Sequence, residues 1–142
     1  MGKNADGSRR IIEEIFGAGN YKLAHELIAA DGIGHDPARP EPTVGPDGVI
    51  ESARGYREAF PDLKVTVKQV VADGDYVATR WRAKGTHKGD LFGIPPTGKE
   101  TTVTGITMDQ WADGKVAESW TNWDTLGLLQ QLGAVPAAMQ TA

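Results

Sequence analysis

Two periodicities divide this chain. Before residue 61 apolar side chains recur three and four positions apart, and from Leu63 onward they alternate with polar ones. The first pattern predicts helices and the second half-buried strands. Ile11, Ile12, Ile15 and Phe16 share a face of a first helix that Ser8 can cap and that Gly17 and Gly19 end. Asn20 precedes a second short helix with Leu23, Leu27 and Ile28 on one face. Asp47 can cap a third, with Val49, Ile50, Ala53, Tyr56 and Phe60 at core spacing and Pro61 as its stop. The segment between the last two, Gly32 to Gly48, holds four prolines and four glycines and reads as a loop.

The alternating region resolves into two hairpins. Leu63–Ala72 and Tyr76–Lys84 flank Asp73-Gly74, and Thr101–Trp111 and Lys115–Trp123 flank Asp113-Gly114. Val77, Thr79, Trp81 and Ala83 point to one side of their strand, and Arg80, Arg82 and Lys84 to the other. One wall of the sheet is therefore covered and the other wet or paired with something polar. Asp124 can cap a last helix through Leu126, Leu129 and Leu132, closed by Gly133. Helices first and antiparallel strands afterwards give an α+β domain with helices on one face of a curved sheet.

Composition narrows the partners. A chain of 142 residues is one domain, and its net charge of −4 with interleaved signs argues against nucleic acid. No apolar run approaches the ~20 residues of a membrane span, and Met1–Arg10 lacks the apolar core of a signal peptide. With no cysteine there is no disulfide, thiol chemistry or thiolate metal site, which fits a cytoplasmic protein. The three histidines show no His-x-His or His-x-x-x-His spacing, and no glycine loop sits between strand and helix as phosphate binding requires. Neither metal nor cofactor is expected.

The candidate chemistry lies on the second hairpin. With Ala112 opposite Lys115, Trp111 faces Val116, Asp109 faces Glu118 and Thr107 faces Trp120, all on the presumed concave side. Opposed carboxylates on a covered face repel and share a proton, which makes a general acid/base near neutrality. At an open rim the same pair would be hydrated or bridged by a cation. His35, in Gly34-His35-Asp36-Pro37, is either a turn residue or a side chain aimed at the site. His87 is either a loop anchor or a ligand contact. Trp81, Trp111 and Trp120, with Tyr56 and Phe60, read as an aromatic wall for a flat ligand or as core. A pocket bounded by Trp111, Trp120, Tyr56, Phe60 and His35 is expected.

The run Gly85-Thr86-His87-Lys88-Gly89, then Gly93-Ile94-Pro95-Pro96-Thr97-Gly98-Lys99, Asp113-Gly114, Trp120…Asp124 and Gln130-Gln131-Leu132-Gly133 has a specific look. Together with Ala59-Phe60-Pro61-Asp62-Leu63 it resembles the SnoaL-like polyketide cyclases, also called ester cyclases, over about residues 8–134. The resemblance implies a cone-shaped domain of the nuclear-transport-factor-2-like superfamily, with three N-terminal helices on the concave face of a curved antiparallel sheet. It also implies homodimers formed through the convex face, where Ile106 and Met108 lie beside Thr104 and Ala117. Cyclases of this family close a ring by aldol condensation without a cofactor, using an acidic residue on the last long strand and a histidine on the strand before. An ungapped alignment through Asp113-Gly114-Lys115 puts Thr121 and Thr107 at those positions. Threonine does no acid/base work at neutral pH, so Asp109 and Glu118, with His35, are the expected substitutes, and Thr107 and Thr121 are ligand contacts. The function implied is cyclase, lyase or isomerase chemistry on a small hydrophobic, polyketide-like or aromatic carbonyl compound. A non-catalytic ligand-binding protein and a hydroxylase of the same family are the alternatives.

Overall fold

In the computed structural model, which describes residues 2–140, the first helix begins five residues earlier than Ser8. Helix α1 (Lys3–Arg10) continues without a break into a π-type stretch, Ile11–Phe16. The wider π turn lets adjacent Ile11 and Ile12, and then Ile15, all face inward. Ser8 is thus inside the helix rather than at its cap, and fully buried. Helix α2 (Leu23–Leu27) and helix α3 (Gly45–Ala59) follow, the latter with Pro46 in its first turn.

The glycine- and proline-rich segment is only partly a loop. Strand β1 (Ile28–His35) and the two-residue β2 (Thr43–Val44) form within it. Its glycines carry little strand propensity, but the neighbouring strand supplies the hydrogen bonds and overrides local preference. Strands β3 (Lys64–Asp73), β4 (Tyr76–Thr86), β5 (Glu100–Ala112) and β6 (Lys115–Trp123) complete a six-stranded sheet in the order β2-β1-β6-β5-β4-β3. Every pair is antiparallel except β1 with β6, so the sheet is mixed. Helix α4 (Thr125–Leu132) closes the chain, capped by the Asp124 carboxylate on Gly127 N–H at 2.8 Å and ended by Gly133 at φ +71°.

The second hairpin turns at Asp113-Gly114, whereas the first turns one residue later than expected, at Gly74-Asp75, with Asp73 paired to Tyr76. Val77, Thr79, Trp81 and Ala83 face inward and Arg80, Arg82 and Lys84 are exposed. The second hairpin departs from simple pairing. Ala112 faces Lys115 and Trp111 faces Val116, but a bulge then shifts the register, so that Gln110 faces Glu118, Asp109 faces Ser119 and Thr107 faces Thr121. One extra residue turns every later side chain of β6 to the other face. The expected Asp109–Glu118 pair therefore does not form, and Trp120 lies on the outer face. A second bulge in β3 is held by Glu13, whose carboxylate accepts the Val67 N–H at 3.0 Å. Apolar packing gathers in two clusters. One joins α1 and α2 to Val77, Trp111 and Val116, and the other joins Phe60, Leu91, Leu128 and Leu132. Among the described residues no helix is long and apolar enough to cross a membrane.

Candidate functional site

Between the helices and the concave face lies a cavity of about 170 Å³. Strands β4, β5 and β6 supply its floor through Trp81, Thr107, Asp109, Ser119, Thr121 and Trp123. The helices supply apolar walls, chiefly Ile11, Ile12, Phe16, Val49 and Phe60. Gly105 makes the floor possible, because a Cβ there would collide with the Trp81 ring and lie 2.8 Å from Trp123 Cβ.

Asp109 is the chemical centre of this space. It is 2% exposed, and its Oδ2 accepts the Ser8 hydroxyl at 2.7 Å. Ser8 Oγ in turn accepts the Trp111 indole N–H at 2.9 Å, which fixes the direction in which the serine proton points. Burial pushes the Asp109 carboxyl up to about 6, against the opposing pull of the Ser8 and Ser119 hydroxyls. Beside it the Trp81 N–H donates to Thr107 Oγ1 at 3.1 Å, and Thr107 and Thr121 share a hydrogen bond of 2.9 Å.

A second carboxylate enters from the end of β1. Asp36 accepts the Tyr56 hydroxyl at 2.7 Å, the Trp123 N–H at 2.9 Å and the Ala38 N–H at 2.8 Å. Burial, and then the charge of Asp36, raise the Tyr56 phenol far above its ordinary value, so it stays a proton donor. The cavity wall thus holds a carboxyl that titrates near neutrality, a hydrogen-bonded carboxylate and several hydroxyl donors in an otherwise apolar enclosure.

The residues singled out from sequence separate into two groups. Asp109, Thr107, Thr121, Tyr56 and Phe60 line the cavity, and His35 borders it while its ring turns outward to Glu118 and Trp120. Glu118, Trp120, Trp111 and His87 do not. The bulge carries Glu118 and Trp120 outward, where the His35 ring stacks on Trp120 at 6.0 Å and His35 Nε2 meets Glu118 Oε2 at 2.7 Å. Trp111 packs behind Ser8 in the first cluster, against Gly7. His87 is fully buried, its Nδ1 accepting the Thr97 N–H at 3.2 Å, and it anchors the glycine-bounded loop. Three residues were missed. Asp36 sits before a proline in Gly34-His35-Asp36-Pro37, the setting of a turn residue, and Ser8 has the residue type of a cap, although it falls on the helical face of Ile11, Ile12 and Ile15, where a polar group needs a buried partner. Ser119 could emerge only from the shifted register. Among the described residues no three His, Asp or Glu side chains converge as a metal site would require.

Comparison with known proteins agrees with this architecture. The family model for SnoaL-like polyketide cyclases matches residues 8–132. The aklanonic acid methyl ester cyclase DauD of Streptomyces sp. (strain C5) is 25% identical over 113 residues, covering 78% of this chain and 67% of that protein. The solved structure of a protein from Jannaschia sp. CCS1, assigned as a SnoaL-like polyketide cyclase, superposes with a TM-score of 0.83 at 27% identity, covering 94% of each chain. IdmH of Streptomyces antibioticus, assigned as a polyketide cyclase, is 34% identical with a TM-score of 0.78, covering 93% of this chain and 99% of its own. A match through helices, bulged hairpin and closing helix, with this cone around a polar-floored cavity, means that the chain belongs to the SnoaL-like polyketide cyclase family.

Proposed function

We propose that the protein is a cofactor-independent enzyme that moves a proton next to the carbonyl of a small hydrophobic, polyketide-like or aromatic compound, in a cyclase, lyase or isomerase reaction. The observation that carries this reading is the Asp109 carboxyl, buried at the cavity floor and titrating at about 6. A base must be ionised at working pH yet basic enough to take a carbon-bound proton, and this group meets both demands. Its carboxylate takes the proton α to the carbonyl: the C–H bond breaks and an O–H bond forms on Asp109. The hydroxyl proton that the Thr107–Thr121 pair leaves free stabilises the enolate oxygen. The enolate carbon then either adds to a second carbonyl, whose oxygen takes the proton from Asp109, or recovers a proton at another carbon. Both routes balance without an oxidant.

Glu118 has no part in this scheme, because its side chain lies outside the cavity, and His35 contributes to the rim rather than the floor. Cytoplasmic location and a homodimer are part of the same proposal. The test is α-hydrogen exchange into 2-tetralone in deuterated water, followed by NMR. Wild-type protein accelerates exchange, with a rate that rises through about pH 6 as Asp109 ionises. Asp109→Asn lowers it by roughly 100-fold or more on the general-base scale, while Glu118→Gln leaves it unchanged. Full exchange by Asp109→Asn would remove the base. Wild-type binding without exchange would favour the alternatives, a binding protein or a hydroxylase.

A further inference from the structure

We propose that Arg39 and Phe92 form an anchoring subsite beside the cavity that holds a carboxylate carried by the ligand. The proposal rests on the preceding reading of the cavity as the place where the ligand lies. A second cleft adjoins the cavity and shares Ser52 and Tyr56 with its wall; its remaining sides include Arg39, Asp90 and Phe92. Arg39 is half-buried, and its Nε is sealed from solvent without meeting an acceptor. No ion pair among the described residues includes it.

The neighbouring carboxylates are already engaged. Asp36 spends its oxygens on Tyr56, Trp123 and the Ala38 N–H, while Asp90 accepts the Gly93 N–H at 3.1 Å. A half-buried guanidinium without a counter-ion is unfavourable, and its planar fork matches a carboxylate edge. The backbone at Arg39 is also fixed, because its main-chain N–H donates to the Asp36 carbonyl at 3.1 Å, in the turn that carries Asp36 into the cavity.

Phe92 supplies the second, independent observation. It is 53% exposed and sits at φ +51°, a left-handed conformation that disfavours a bulky residue. Its ring meets Tyr56 edge-on at 6.1 Å. A strained, exposed aromatic at a cleft is a mark of function rather than of packing. One cation beside an aromatic edge fits a single planar anion. A phosphate dianion would leave one of its two charges uncompensated beside Asp36 and Asp90, whereas a carboxylate is matched by the one guanidinium. The ligand class that follows is an aromatic or polyketide-type carbonyl compound bearing a free carboxylate, its anionic end at Arg39 and its reacting carbonyl in the cavity.

Calorimetric titration with 2-naphthoate and with its methyl ester tests this directly. Wild-type protein should bind the acid at least tenfold more tightly than the ester. Arg39→Gln should bring the two within twofold while leaving the affinity for the ester unchanged, which also shows that the variant is folded. Phe92→Gly should weaken both probes severalfold without lowering the melting temperature. An acid preference that survives Arg39→Gln, or a wild-type protein that binds ester and acid equally, overturns the anchor and leaves the role of Asp109 standing. Acid preference without α-hydrogen exchange keeps the anchor and removes the proton chemistry. If neither probe binds, the cavity reading and the anchor fall together.

Discussion

Asp109 takes hydrogen bonds from Ser8 and Ser119, yet the hydrocarbon around it outweighs them and its carboxyl titrates at about 6 rather than 3.8. Because the folded-state value lies above the unfolded one, the native state binds the proton more tightly. The stabilising contribution is complete below about pH 3.8 and is lost as pH rises through about 6. Above that, the native protein carries a buried charge whose cost is ~3 kcal/mol at 1.36 kcal/mol per pKa unit. Asp109→Asn keeps the shape and never ionises. The variant should therefore be more stable than wild type at pH 7, by ~1–2 kcal/mol once weaker hydrogen bonds are subtracted, and less stable near pH 4, where only that hydrogen-bond loss remains. Thermal melts across pH check this; a constant difference between the proteins at all pH values would mean that Asp109 does not titrate in the native state. Individual residues of the site were legible as types. Asp109 on an alternating strand announced an inward carboxylate, but its partner did not, because Ser8 lies 101 positions away.

Elements carry the next level of specification. Asp113-Gly114 fixed the hairpin and its first two pairs, as turn chemistry must, with Asp113 at φ +53° and Gly114 at φ +78°. The bulge just beyond is not written in any residue type, and it decided that Ser119, Thr121 and Trp123 face the cavity in place of Glu118 and Trp120. The loop from Lys88 to Lys99 shows the same division. Its glycines and prolines restrict the backbone locally, and His87 is the post to which it is tied. Thr97 N–H and Gly98 N–H bond to His87 Nδ1 and to its carbonyl, and the ring lies 5.5 Å from that of Phe60. His87→Ala leaves the Thr97 N–H without its acceptor and opens a void beside Phe60. We expect a loss of ~2–4 kcal/mol, with hydrogen-exchange protection of Thr97 falling more than that of the β4–β5 ladder. Uniform loss of protection would instead make His87 part of the global core.

At the scale of the molecule, the outer face of the sheet carries Ile33, Ile106, Met108 and Trp120, all substantially exposed. We propose that this apolar strip, on a sheet whose other face is already covered, is where two copies pair about a two-fold axis, one patch on each copy. We expect light scattering to give about twice the 15.2 kDa chain mass, and Ile106→Asp to return it to the monomer value. A wild-type species at the chain mass under micromolar conditions would count against the pairing.

The sequence by itself determined the change from helical to strand period, the two hairpins and the Asp113-Gly114 turn of the second, the closing helix and the inward face of β4. Each of these rests on interactions within a few residues, or on the two-residue alternation that burial imposes on a strand. It also carried enough of the glycine and proline pattern to resemble the family to which the chain belongs. Only the tertiary structure decided that β1 pairs in parallel with β6, that a one-residue bulge inverts half of β6, and that Ser8, Asp36 and Ser119 complete the cavity chemistry. Those outcomes depend on contacts between residues tens of positions apart, where the pairing energy of whole strands outweighs local preference and a single extra residue changes which side chains meet.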